Sequence, residues 1–467
     1  MATWLTENRP GWRIEVKKRP DGSTGFTPLP KRWVVERPNA WSGRARRNSK
    51  DYERKPESSA AQIQLSHIQL MLHRLSPVPQ PEFHYRKEVA YTKESFRIAS
   101  HNTLTGLRVQ HFPFGIRVRA GDLINPGTVT HTTVTNNILA ECKIDGIFVA
   151  TGNVPGSLIA HTILTQNLVM NNARVGIFVL ASLSNAGSDS QIDHTIIADN
   201  EVTESGQVGI FLVSQGDRNV LSNATVARNT VSGSTFFGIN VNGGFNGADE
   251  NSLDLRIQDN TVTDNGNTGI RVIAGQDNSS NNRAEARIRG NTLERNQLFA
   301  IAAAAGEGAV NFPTGVSNNN VLELRIERNI VRSQTGSGIG FASGVGSPDG
   351  RAGALANNNQ THVIVRHNTV EGSTDRGIEL VAGGFGLASM NTTEVWVAHN
   401  TICHNASTDI VGEGSTFGDV LFPVPNTGTG NVLTGQIFQN TATTVTVADG
   451  TPGNTATVTQ LQNDPCP

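Results

Sequence analysis

The chain has 467 residues, 37% of them apolar, with 48 glycines, 18 phenylalanines and a formal net charge of −2. This length suits two or three ordinary domains or one long solenoid, and so much glycine favours thin β-layers over a thick globular core. Three cysteines (Cys142, Cys403, Cys466) exclude a disulfide framework, and no apolar run is long enough to cross a bilayer.

The small net charge conceals two differently composed pieces. Residues 1–75 carry fifteen Lys/Arg against seven Asp/Glu, and four of the five tryptophans (Trp4, Trp12, Trp33, Trp41) lie there, whereas the remainder is acidic. Trp4, Glu7, Arg9 and Pro10 stand where a signal peptide needs an apolar stretch, so the default expectation is a cytoplasmic chain.

Within the first piece, KRWVVER at 31–37 is followed by AWSGRARR at 40–47 and KDYER at 50–54. These strings resemble the C-terminal end of an insertion-sequence transposase of the DDE, ribonuclease-H-like type, over residues 10–75. The resemblance implies that Glu36 matches the metal-holding glutamate of DNA strand transfer. The two partner aspartates are missing, and one carboxylate cannot cage two ions. The expectation is an inactive remnant joined by gene fusion, partly helical or disordered. Its basic residues (Lys17, Lys18, Arg19, Arg44, Arg46, Arg47, Lys50) would bind nucleic acid weakly and without sequence preference. Residues 76–95 read as a proline-marked linker.

From about residue 96 to 447 the chain repeats. Asn137, Asn167, Asn200, Asn229, Asn260, Asn291, Asn329, Asn368 and Asn400 are each followed two residues later by an aliphatic and ten residues later by isoleucine, at intervals of 29 to 39 residues. Around Asn260, Leu255 and Ile257 alternate with Arg256 and Gln258, a period of two that predicts short strands and excludes helical repeats. No Asn-Gly hairpin joins these strands. The chain therefore coils, each strand pairing with its equivalent one turn on, for about ten coils at ~4.8 Å each. Like residues then stack, and the asparagines form a side-chain amide ladder. Glycine precedes the isoleucine in seven copies (Gly146, Gly176, Gly209, Gly238, Gly269, Gly338, Gly377), with Ala300 and Asp409 in the other two, which points to a bend at positive φ.

These NTI and GI repeats resemble the right-handed parallel β-helix proteins of the pectin-lyase-like superfamily. The resemblance implies an all-β, single-stranded solenoid whose parent was exported. Its members include lyases, hydrolases, epimerases and inert rods, and some are linked to copper-enzyme maturation. Residues 448–467 read as a tail or cap.

Four groups are candidate sites. Arg256, Arg287 and Arg325 fall at one template position in successive coils, with Gln258, Arg289, Glu327 and Arg366 beside them. Such a face would hold an acidic polysaccharide or remain a compensated charged surface. Asp249, Glu250 and Asp254 would bind calcium or supply a glycosidase acid and base, although the asparagine-rich positions nearby (Asn251, Asn282, Asn320, Asn359, Asn391) read first as turn tips. His367 and His399, with Cys403 and His404 close by, suit copper or zinc. Phe148, Phe178 and Phe211 would form a sugar-binding strip if left uncovered. The leading functional expectation is a β-helix scaffold or binding protein; the alternatives are a carbohydrate-active enzyme on an acidic glycan and DNA transposition.

Overall fold

A computed structural model describes residues 91–92, 95–98 and 100–467, apart from 122–124, 185–186, 309–314, 347–354, 385–386 and 416–427. The transposase-like segment, Glu36 included, lies outside the described residues, as does most of the expected linker.

One coil shows how the sequence winds. In Ser252–Gln258, Leu253, Leu255 and Ile257 turn into the lumen while Arg256 stays outside. The chain bends at Asn260, runs through Thr261–Thr263 with Val262 inward, bends again, and enters Ile270–Gln276 with Ile270 and Val272 inward. Each strand then pairs in parallel with its equivalent one coil later: Leu253 with Ala284, Val262 with Leu293, Ile270 with Ile301. The result is a parallel β-helix with three sheets: sheet I of thirteen strands, sheet II of twelve and sheet III of eleven. Sheet I carries the GI segments, sheet II the long strands before each ladder asparagine, and sheet III the three-residue strands after it. Among the described pairings only Tyr91–Thr92 with Ser95–Ile98 is antiparallel.

An amide ladder runs along one corner of the helix. Asn260 Nδ2 donates to Asn291 Oδ1 at 2.9 Å and to the Val226 carbonyl at 2.9 Å, while the Asn260 amide nitrogen donates to the same Asn291 oxygen at 2.9 Å. Every donor of the buried side chain is thereby used, which burial demands. The ladder extends beyond the repeat phrase through Asn440 and Asn463.

Two expectations need correction. Gly146, Gly176, Gly209, Gly238, Gly269, Gly338 and Gly377 do not lie at positive φ. They permit close approach: a β-carbon at Gly269 would meet the Ala300 carbonyl oxygen at 2.7 Å, and at Gly238 it would meet Val262 Cγ1 at 2.5 Å. The left-handed residues instead precede the ladder positions at all three corners, for example Glu250 (φ 59°) before Asn251, Asp259 (56°) before Asn260 and Asp264 (57°) before Asn265. Asn251, Asn282, Asn320, Asn359 and Asn391 are also not turn tips. They are 0–2% exposed and form a second amide ladder that continues to Asn431 and Asn454.

At the C-terminus, Thr455–Leu461 pairs through seven residues with Val432–Phe438 and adds a further strand to sheet II. Cys466 forms a disulfide with Cys403. Residues 455–461 thus extend sheet II by one strand, and the disulfide ties the segment after them to Cys403.

Candidate functional site

Arg256, Arg287 and Arg325 stand in register on the outer face of sheet II, and so do Gln258, Arg289, Glu327 and Arg366. Beside the arginines runs an acidic column in which Asp254 is followed by Glu285 and Glu323, then His362 and Glu394. Arg283 pairs with Glu323 at 2.5 Å, Arg366 with Glu327 at 2.7 Å, and His362 with Glu394 at 3.0 Å. Arg325 and Trp396 border a groove of about 450 Å³ there, together with Glu323 and Glu394. The face is charge-compensated over much of its length.

Asp249, Glu250 and Asp254 do not converge. Glu250 is the left-handed corner residue, and Asp254 projects from the strand after it. Asp249 accepts from the Ser280 amide at 2.6 Å. Burial raises its pKa, opposed by that bond and assisted by the Asp217 and Glu250 carboxylates. Among the described residues no three His, Cys, Asp or Glu side chains are grouped to hold a metal ion.

The histidine group expected around His367 is not gathered in one place. His367 and His399 stack with ring centroids 5.2 Å apart. Cys403, however, is oxidised with Cys466 and offers no thiolate, and His404 lies at a different corner, beyond the strand Thr401–Cys403. Phe148 and Phe178 are 3% and 6% exposed, so the phenylalanines form no open strip. Phe178 stacks on Phe211 and is tilted against Phe148, the group packs with Leu180 and Val213, and the Arg174 guanidinium lies 5.1 Å from the Phe178 ring.

Another polar site lies further along the outer face of sheet I. One outward column there runs Phe211, Asn240, Arg271, Ala302, Gly340, Glu379. Two small residues between a buried arginine and a buried glutamate hollow the surface into a cavity of about 610 Å³, walled by Phe237, Phe245 and Phe299. Arg271 is held from every side: it donates to Asn240 Oδ1 at 3.2 Å, to Gln276 Oε1 at 3.4 Å and to Glu307, and it covers the Phe237 ring at 5.1 Å. Burial raises the Glu307 pKa, Arg271 opposes this, and Asp277 adds to it. Asn242 is 1% exposed, donates to Gln276 Oε1 at 2.8 Å and leaves its own Oδ1 without a partner. Arg271 is paired with Glu307, and Arg376 is paired with Glu379 at 2.5 Å, so the charges around the cavity are largely compensated. Sequence reasoning missed this site; the available signal was a charged residue directly after GI in two coils (Arg271, Glu379), with alanine and glycine at that position between them.

A second unforeseen feature lies on sheet II of the early coils. His101, His131, His161 and His194 form one exposed column, with neighbouring ring centroids 4.9, 4.7 and 4.9 Å apart. Imidazole suits copper, zinc and nickel, so this donor set fits such an ion two rings at a time.

No curated protein matches the chain. Residues 82–244 match the model of a family described as periplasmic copper-binding protein (NosD), a stretch that includes all four histidines of the column. Over about a third of its length, therefore, the chain is similar to a family of copper-binding β-helix proteins.

Proposed function

We propose that this chain is an exported β-helix binding protein whose sheet I cavity accepts a neutral, hydroxyl-rich ligand such as a saccharide unit. The observation that carries this reading is the Arg271 cradle. A guanidinium neutralised by Glu307, with an unpaired Asn242 oxygen beside it and phenylalanine walls around it, has the make-up of a ligand pocket: apolar sides and a few fixed polar groups. Both guanidiniums at the cavity are already paired, Arg271 with Glu307 and Arg376 with Glu379, which disfavours an acidic glycan there. Export is supported by the Cys403–Cys466 disulfide, which persists in oxidising compartments, and by the periplasmic description of the matched family. No helix among the described residues is long and apolar enough to cross a membrane.

Calorimetry of the purified chain against neutral and acidic oligosaccharides tests the reading. Binding of a neutral sugar that Arg271→Met abolishes supports it. Binding confined to polyuronates, and lost on replacing Arg287 and Arg325, overturns it in favour of the sheet II face.

A second reading, copper binding, is favoured by the family match over the coils that carry the histidine column. A bound copper ion would supply redox or Lewis-acid chemistry. The residues available to hold it are the imidazoles of that column.

A further inference from the structure

Sheet II changes its construction partway along the helix. The strands Thr128–Thr135, Leu158–Thr165, Gln191–Ala198 and Val220–Ala227 have eight residues, whereas Ser252–Gln258 and those that follow in the central coils have seven. Pairing with Ser252–Gln258 shifts between Leu221 and Ala224. The extra residue is a bulge in the left-handed region: His131 (φ 54°), His161 (53°), His194 (50°) and Asn223 (52°). Bulges re-aim side chains and recur beside functional sites. Asn223 shows that asparagine satisfies this backbone, so the backbone alone does not call for three histidines in succession.

A carboxylate orients the end of the column. Asp193 accepts from Ser222 Oγ at 2.7 Å and from Asn223 Nδ2 at 2.9 Å, and its other oxygen lies 2.5 Å from His194 Nδ1. A carboxylate oxygen held against Nδ1 orients the ring and leaves Nε2 for another ligand, the arrangement that orients metal-bound imidazoles.

We infer that His161 and His194 form a binding site for a borderline first-row transition ion, Cu(II) or Zn(II), with His194 oriented by Asp193. Metal–nitrogen bonds of about 2.0–2.1 Å require two donor nitrogens ~3–4 Å apart. Rings with centroids 4.9 Å apart on exposed side chains reach that spacing by rotation about χ2. Water completes the coordination. Hard ions such as calcium are disfavoured, because the Asp193 oxygens are already engaged. His367 and His399 lack an orienting carboxylate in the structure and stack against Phe438, with the His399 and Phe438 centroids 6.0 Å apart; they serve as the internal control. The inference rests on the copper reading, whose residues it names, and does not depend on the sheet I cavity.

The test titrates the full chain with CuSO₄ under electron paramagnetic resonance and with ZnCl₂ by calorimetry. Nitrogen superhyperfine structure from at least two imidazoles is expected. His161→Asn and His194→Asn should abolish it while retaining the bulge, as Asn223 does. Asp193→Asn should weaken binding about 10–100-fold, and His399→Asn should leave it unchanged. In the unsubstituted protein, Zn(II) should protect His194 from carbethoxylation, a readout that needs no variant to fold. Undiminished uptake in the His161→Asn/His194→Asn double variant, a one-nitrogen signal, or no protection of His194 overturns the inference.

Discussion

Arg271 and Glu307 pair beneath the surface of sheet I, with 10% and 13% of their side chains exposed. Because burial raises the Glu307 pKa, its protonated form is the one folding favours. The stability this group contributes is complete below the ordinary glutamate value of about 4.3 and declines as pH rises toward the raised value. Glu307→Gln should therefore flatten the dependence of Tm on pH above about 4.3, measured against the parent chain by circular dichroism.

Asp193 has the opposite sign. Its folded pKa of about 2 lies below the ordinary value, so its contribution is complete above about 3.9 and is lost as pH falls through about 2. Denaturant titrations across that window should converge for Asp193→Asn and the parent at the acid end and diverge toward neutrality.

Removing one rung of the amide ladder leaves buried donors unpaired. Asn260→Ala strips the acceptor from both the Asn229 amide nitrogen and Asn229 Nδ2. A loss of about 2–4 kcal/mol in urea unfolding is expected, against a smaller change for Asn281→Gly on the exposed corner, where glycine tolerates the left-handed backbone.

Gly269→Ala places a methyl 2.7 Å from the Ala300 carbonyl oxygen in a backbone that has no room to shift. A cost of about 1–3 kcal/mol follows. If the variant melts like the parent, close approach is not what this position requires.

The disulfide ties the last segment to the third sheet across 63 residues of sequence. Reduction, or Cys466→Ser, should lower stability by about 2–4 kcal/mol. Proteolysis after reduction should start in residues 448–467, which mass spectrometry of the fragments would show.

The fold was legible because coiling aligns like with like: one spacing, asparagine to isoleucine, recurs through coils of unequal length. The corner conformations were not, since left-handed residues such as Asp259 and Arg228 carry no glycine to mark them. The arginine face was found because Arg256, Arg287 and Arg325 repeat, whereas the Arg271 cavity depends on what does not repeat, a charge facing Ala302 and Gly340. Histidine six residues before Asn137, Asn167 and Asn200 was visible in the sequence. Its orientation follows from a bulge that the alternation of period two conceals. The partner of Cys403 lies beyond the last repeat, where spacing gives no guidance.

The shift between Leu221 and Ala224 has a consequence for how such a chain tolerates change. In an ordinary sheet one added residue turns every later side chain over, core to solvent. Here Asn219 stays bonded to Asn251 before the shift and Asn229 to Asn260 after it, so the surplus residue is confined to the strand between them. Length differences of one residue can therefore enter or leave this face coil by coil, and a loop or binding residue can be re-aimed without disturbing the spine that carries it.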